Sequence, residues 1–408
     1  MDRPSNGRSA NGHATEDGQR PIRRPMKRSV VRAVELFAGI GGFRLASETV
    51  AAKTIWANEI DPKACAVYRS RFGDNELVEG DIRTRIQDVP PHDLLTAGFP
   101  CQPFSNAGKK EGTRDPRGTL FRVIVDVLAA HRPKWFVLEN VKRLLSMESG
   151  SHFATILDSL AVLDYQVEWR LLNASSFGLA QNRERVIIVG TRADQAREPK
   201  VKLASGDELK QLGHAAIRSA RHDWRPITDH GQRFATWGLA RNGRMFSGDL
   251  ERDSSHPQPP RLRDVMEKSV SDEFDFTEST VARIKDSALV NRFVHGVQVL
   301  SNQGGGARMG YTVFGADGLA PTLTASTSRH YERYKIGNRY RRLTNVEYAR
   351  LQGFADNHAA SATPYDQYSL LGNAVPPPLA AWAIARVMSD GVSLPNSKDI
   401  AGQMDLEL

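Results

Sequence analysis

The stretch Phe37-Ala38-Gly39-Ile40-Gly41-Gly42 closes the apolar run 30–36 and opens a helical pattern over residues 42–51. A strand that ends in a glycine turn and passes straight into a helix lets the backbone approach a ligand at the positive end of the helix. The cadence repeats along the chain. Short apolar or β-branched runs at 54–58, 77–79, 93–97, 135–139, 167–172 and 185–189 alternate with helical candidates at 62–71, 119–130 and 152–163. Such alternation predicts a mostly parallel sheet with helices on both faces, a doubly wound α/β domain.

Ligands of open α/β sheets sit outside the carboxyl ends of the strands. Two further strand ends therefore face the same crevice. Gly98-Phe99-Pro100-Cys101-Gln102-Pro103 follows the run 93–97 and puts a thiol in a rigid loop, and Glu139-Asn140-Val141 closes the run 135–139. Glu59, at the end of the second run, is placed to accept hydrogen bonds from ribose hydroxyls. Arg44 stands where a dinucleotide fingerprint has its third glycine, so the turn and Glu59 suit NAD and S-adenosylmethionine equally. Gln181-Asn182-Arg183-Glu184-Arg185 carries two guanidinium groups at i and i+2, on one face of an extended segment.

The chain has 408 residues, 40% of them hydrophobic, enough for two domains with a sizeable core. No apolar stretch reaches the roughly 20 residues of a membrane helix and the N-terminus has no signal-peptide core, so a cytoplasmic, nucleoid-associated protein is expected. Cys65 and Cys101 alone cannot hold a zinc ion, and no metal site is expected. Cys65 follows Asp61-Pro62, a helix start, and reads as a packed structural residue. The net charge of +8 favours an anionic partner. Half of it lies in the first thirty residues, where seven basic against three acidic side chains leave +4 in a Ser-, Asn-, Gly- and Arg-rich stretch expected to be a disordered tail.

After Gly190 the alternation stops. The expected organisation is a basic tail (1–29), a catalytic and cofactor-binding domain (30–191), a linker (192–223), a loop-rich second domain (224–342), C-terminal helices at 344–352 and 377–388 within 343–390, and a tail (391–408). Residues 329–342 pack six cationic and three tyrosine side chains against one Glu, a mixture suited to phosphates and stacked bases.

The ordered set of Phe37 to Gly42, Pro100-Cys101-Gln102, Glu139-Asn140-Val141 and Gln181 to Arg185 resembles the DNA (cytosine-5)-methyltransferase family of the bacterial restriction-modification type, and the likeness spans most of the chain. The resemblance implies a Rossmann-like methyltransferase sheet with a smaller target recognition domain at 224–342, and a last helix that packs back on the first domain. It implies S-adenosyl-L-methionine held by Phe37, Gly39, Gly41, Gly42, Glu59, Ile60, Asp81, Ile82, Gly98, Pro100, Leu120, Asn373 and Ala374. It implies Cys101 as the nucleophile that adds to cytosine C6, flanked by Gln102. Glu139 and Asn140 hold the Watson–Crick edge, Arg185 the cytosine O2, and Arg183 supports the cysteine. The base is flipped from a short, palindromic site in double-stranded DNA. Ser105, Lys109, Thr322, Arg329, Arg333 and Arg341 are the implied DNA contacts, in a monomer whose partner is a restriction endonuclease of the same site.

Three other classes share parts of this pattern. An NAD-dependent oxidoreductase accounts for the turn and Glu59 but not for Cys101, Glu139 and Arg185 together. A non-catalytic DNA-binding regulator needs no thiol, and a tRNA cytosine-5 methyltransferase shares the motifs but not the reason for so long a segment at 224–342. A zinc deaminase is excluded because Pro100-Cys101-Gln102-Pro103 lacks the second cysteine of its motif.

Overall fold

The computed structural model describes residues 1, 30–100, 120–195, 200–205, 208, 224–250, 258–304, 309–325 and 332–389. The chain divides into two units, Met1–Val30 and Val31–Leu408, and the second contains every element named here.

Seven strands build the catalytic sheet near where the apolar runs place them: β1 (Val31–Leu36), β2 (Ala52–Glu59), β3 (Leu77–Glu79), β4 (Leu94–Gly98), β5 (Trp135–Val141), β6 (Tyr165–Asn173) and β7 (Glu184–Arg192). Between them lie α1 (Gly42–Thr49), α2 (Pro62–Phe72), α3 (Leu120–His131) and α4 (Ser151–Val162). The order β3-β2-β1-β4-β5 is parallel throughout. It reverses direction at the β1/β4 boundary, and the crevice of a doubly wound sheet opens at such a switch point.

Alternate residues of each strand feed opposite cores. Trp135 and Val137 of β5 join Ala33, Phe43 and the last helix, whereas Phe136 and Leu138 join Val34, Leu36 and the helices α3 and α4. Because both faces are covered, these strands read as continuous apolar runs. Cys65 is buried in the core below α2, where burial pushes its thiol up to about 12, so it is an inert packed side chain.

Beyond β5 the sheet turns antiparallel through β7 and β6, and continues where the sequence predicts a second domain. The strands β8 (Arg225–Pro226), β9 (Trp237–Arg241) and β10 (Arg244–Gly248) complete a ten-stranded sheet, with β9 paired to β6. The expected boundary at residue 224 therefore falls inside the catalytic sheet. Residues 202 and 203 of the expected linker also pack here. Glu168, buried on β6, accepts from the amides of Lys202 (2.6 Å) and Leu203 (2.9 Å) and from Trp237 Nε1 (2.7 Å). Polar anchoring of this kind leaves no apolar period to read.

The smaller lobe is a five-stranded sheet, β11 (Ala288–Val294), β12 (Val297–Asn302), β13 (Thr312–Phe314), β14 (Arg333–Ile336) and β15 (Arg339–Arg341), preceded by α5 (Glu278–Lys285). Residues 333–341 of the basic, tyrosine-rich stretch form the β14–β15 hairpin, and one face of it is core. Tyr334 is buried, and Arg341 forms a buried ion pair with Glu347 (2.7 Å; 3% and 0% side-chain exposure). Arg341 is therefore corrected from a DNA contact to a structural cation, because its guanidinium is spent on a carboxylate that also caps a helix.

The C-terminal segment forms α6 (Asn345–Gln352), α7 (Pro364–Asn373) and α8 (Pro377–Met388). Thr344 and Glu347 make a capping box on α6. Helix α7 was not foreseen, although Thr363-Pro364-Tyr365-Asp366 carries its signal: Thr363 Oγ1 accepts from the Asp366 amide, with Pro364 in the first turn. Helix α8 packs its Leu379, Ala383, Ile384 and Val387 against α1 and the sheet, the return to the first domain that the sequence implies.

Replacing Arg341 by Leu strands Glu347 as an unpaired buried charge and should cost about 3 kcal/mol of stability. A urea midpoint that does not move would refute this assignment.

Candidate functional site

A cavity of about 570 Å³ opens at the carboxyl ends of β1, β2, β4 and β5. Its floor is the glycine turn after β1. Phe37 has φ 56 and is followed by Gly39 at φ 55 and Gly41 at φ 88. A phenylalanine held in the left-handed region costs of order 1–3 kcal/mol and persists only where its surroundings impose it. Gly42 is required by a close approach, since a Cβ there would lie 2.3 Å from the Val375 carbonyl oxygen.

Glu59 organises this turn. Its Oε2 accepts from Gly39 N (2.7 Å) and its Oε1 from the amides of Ile60 (2.8 Å) and Asp61 (2.9 Å). Each carboxylate oxygen has two acceptor sites, so Oε2 keeps one for a ligand. Ile60 stands exposed at the rim, with Asp81 beside it. Asp81 caps the short helical turn Ile82–Thr84 and pairs with Arg83, whose hydrogen bond holds its carboxyl below the usual range. Gly98, Pro100, Leu120, Asn373 and Ala374 line the remaining wall. The thirteen residues implied as cofactor contacts share this region: all but Gly41 line the cavity, and Gly41 lies inside the turn, against Phe72.

Glu35 was not foreseen. It lines the cavity at the end of β1, burial pushes its carboxyl up to about 8, and its Oε2 has no hydrogen-bond partner among the described residues. Its place two residues before Phe37 was a legible signal.

At the other end of the cavity lies an ion pair. Arg185 Nε lies 2.8 Å from Glu139 Oε1, with both side chains nearly buried. The sheet sets this geometry: Arg185 is opposite Val141 in the antiparallel β5–β7 register, two residues along from Glu139 and on the same face. Asn140 Nδ2 donates to Phe99 O (2.9 Å), tying the end of β5 to the end of β4 just before Cys101. Cys101, Gln102, Ser105 and Lys109 lie outside the described residues, as does Arg329.

Arg183 has three backbone partners among the described residues, whereas the implied support of Cys101 falls outside them. Its guanidinium donates to Leu323 O (2.9 Å), Gly372 O (2.9 Å) and Ala374 O (3.0 Å), and burial, aided by Arg185, pushes it down to about 9. Gln181 joins the same junction, accepting from Leu323 N (3.0 Å) and donating to Leu351 O (2.9 Å). Thr322 Oγ1 donates to Asn182 O (2.6 Å), so its hydroxyl is held within the chain. Arg333 is half-buried and bonded to Gln303.

The arrangement can hold an extended ligand along the turn and a flat polar ring against Glu139, Asn140 and Arg185. Among the described residues no cluster of His, Cys, Asp and Glu has metal-binding geometry, and no helix is long and apolar enough to cross a membrane.

Comparison with known proteins agrees with this geometry. Residues 31–389 match the family described as C-5 cytosine-specific DNA methylase. The chain is 33% identical over 364 residues to the Type II methyltransferase M1.ScrFI of Lactococcus lactis subsp. cremoris, covering 86% of this chain and 76% of that one. It is 32% identical over 421 residues to the Type II methyltransferase M.HgiCI of Herpetosiphon aurantiacus, covering 86% and 96%. Its fold is similar to that of a DNMT2 mutant from Spodoptera frugiperda, with a TM-score of 0.60 at 17% identity over 88% of this chain and 100% of that one. The NAD-dependent, regulatory and deaminase readings fall away. The chain belongs to the C-5 cytosine-specific DNA methylase family and is a DNA (cytosine-5)-methyltransferase of the bacterial restriction-modification type.

Proposed function

We propose that this enzyme methylates a cytosine flipped out of a short, palindromic duplex site, with Cys101 adding to C6 of the ring and S-adenosyl-L-methionine bound along the glycine turn. The observation that carries the reading is the Glu139–Arg185 pair at 2.8 Å, facing the same cavity as the turn.

The residues present fit the cofactor. The turn gives close backbone approach, Glu59 keeps an acceptor site for a ribose hydroxyl, Ile60 and Phe37 offer apolar faces, and Glu35 leaves a buried oxygen free for a polar group. When bound, S-adenosylmethionine supplies an electrophilic methyl group on a sulfonium centre.

Cytosine C5 is too weak a nucleophile to take that methyl group unaided. The Cys101 thiolate adds to C6, which turns C5 into an enamine carbon and pushes charge toward N3 and O2. A carboxyl and a guanidinium held side by side match these adjacent ring positions: Glu139 shares a proton with N3 while Arg185 donates to O2. After transfer, loss of the C5 proton and β-elimination expel the thiolate. The stacked base is out of reach, so flipping is required. Recognition resides in the smaller lobe around the sheet Ala288–Arg341, with Thr322, Arg329 and Arg333 near the DNA and Ser105 and Lys109 on the loop that closes over it. The protein acts as a cytoplasmic monomer, and an endonuclease of the same site as its partner is supported by the names of its Type II methyltransferase relatives.

Cys101→Ser should bind DNA but lose methyl transfer, and wild type should form a denaturation-resistant adduct with 5-fluorocytosine DNA that the variant cannot form. An active Cys101→Ser enzyme would sink the covalent step. Glu139→Gln and Arg185→Ala should lower turnover at least a hundredfold with cofactor affinity nearly unchanged, whereas Glu59→Ala should do the reverse. Cofactor affinity falling in step with rate in the first two would reassign them. Exchanging the smaller lobe for that of a relative with another target should move the methylated site, read by bisulfite sequencing of a plasmid. A folded chimera that keeps the original site places recognition elsewhere.

A further inference from the structure

The glycine turn is held by a residue far from it in sequence. His358, between α6 and α7, is 1% exposed, and its Nε2 lies 2.7 Å from the carbonyl oxygen of Ile40. A carbonyl only accepts, so Nε2 carries the hydrogen and donates it. Burial pushes the imidazole down to about 4, which leaves it neutral at pH 7, in the tautomer that the carbonyl selects. The ring is fixed by packing, with Phe354 at 4.6 Å and Phe72 at 6.0 Å between centroids. The Phe72 ring in turn fills the space beside Gly41, where a Cβ would come within 2.3 Å of it.

The other contacts of the turn are made within it or with its neighbours in the fold. Ala38 N donates to Asn58 O (2.9 Å), Gly41 N to Ala38 O (2.9 Å), Gly39 N to Glu59, and Leu45 N to Gly41 O (3.0 Å). The peptide that joins Ile40 to Gly41 is thus held at both edges, its N–H by Ala38 O inside the turn and its carbonyl by His358 from outside it. Gly39 and Gly41, the neighbours of Ile40, both have positive φ and no side chain to restrain the turn. His358 does not line the cavity.

We propose that His358 is a positioning residue for the cofactor: its hydrogen bond to Ile40 O, together with that from Gly41 N to Ala38 O, fixes the Ile40–Gly41 peptide of the glycine turn, and the turn, not the imidazole, makes the contact. The proposal rests on reading the cavity as the S-adenosylmethionine site. The lock comes from the segment that also supplies Asn373, Ala374 and Val375 to the cavity, so the C-terminal return shapes the turn as well as walling it.

Three variants test this in the full chain. His358→Phe keeps an aromatic ring without the donor, His358→Gln keeps an N–H donor of similar reach, and His358→Asn falls one methylene short. Calorimetry with S-adenosylhomocysteine should show His358→Phe weaker by up to about tenfold and His358→Gln within about twofold of wild type. The KM for S-adenosylmethionine should rise with the same factor while kcat at saturation stays within twofold. In the free protein, amide hydrogen exchange over residues 38–43 should quicken in His358→Phe and not in His358→Gln. Wild-type affinity in His358→Phe, equal losses in Phe and Gln, or a loss confined to kcat would each overturn the proposal. If His358→Phe folds too poorly to assay, the Gln and Asn variants decide, and equal affinity in those two overturns it. If wild type itself binds no S-adenosylhomocysteine, the reading of the cavity fails, and the exchange data alone judge the contact between His358 and Ile40.

Discussion

Arg183 is a buried guanidinium whose Nη1 and Nη2 donate to three backbone carbonyls, those of Leu323, Gly372 and Ala374. A cation taken out of water must find acceptors or be expelled, and a carbonyl fixed in another segment can satisfy it only if that segment stays in place. The entry to β7 is therefore locked to the end of the smaller lobe and to the end of α7. Gln181 repeats the arrangement two residues earlier, reaching Leu323 N and Leu351 O. Between them these side chains fix how the entry to β7 meets stretches more than a hundred residues further along the chain.

The site inherits its order from that junction. Arg185, two residues beyond Arg183 and within β7, stands beside Glu139 because β7 runs antiparallel to β5 in a defined register. Val375, just past the carbonyl of Ala374, is pressed on Gly42 so closely that no side chain fits there. A shift of the C-terminal segment would therefore disturb both the cavity-facing pair and the glycine turn. Preorganisation of this kind leaves little reorganisation for the reacting complex.

Much of the catalytic half was legible because both of its faces are buried. Strands such as Trp135–Val141 read as apolar runs, and α1, α2 and α4 follow their turn or capping signals closely. The polar joints were not legible. Glu168 pulls residues 202 and 203 onto the sheet by hydrogen bonds, and β8 to β10 extend the sheet into what composition marks as another domain. Hydrophobic period carries no trace of such contacts. The basic hairpin misled for a related reason: Tyr334 and Arg341 face inward, and period alone does not say which face of a short, charged hairpin is covered.

The sequence by itself determined the chemistry at each strand end: the glycine turn, Glu59, the cysteine loop, Glu139-Asn140 and the paired arginines, since a strand followed by a particular residue type is a local statement. Tertiary structure alone decided what those residues are paired with. It gave Arg185 to Glu139, sent Arg183 to three distant carbonyls, spent Arg341 on Glu347, left an oxygen of Glu35 without a partner and brought His358 to Ile40. The physical reason is that a buried charge or donor is satisfied by whatever the fold brings within about 3 Å, and that neighbour can lie hundreds of residues away.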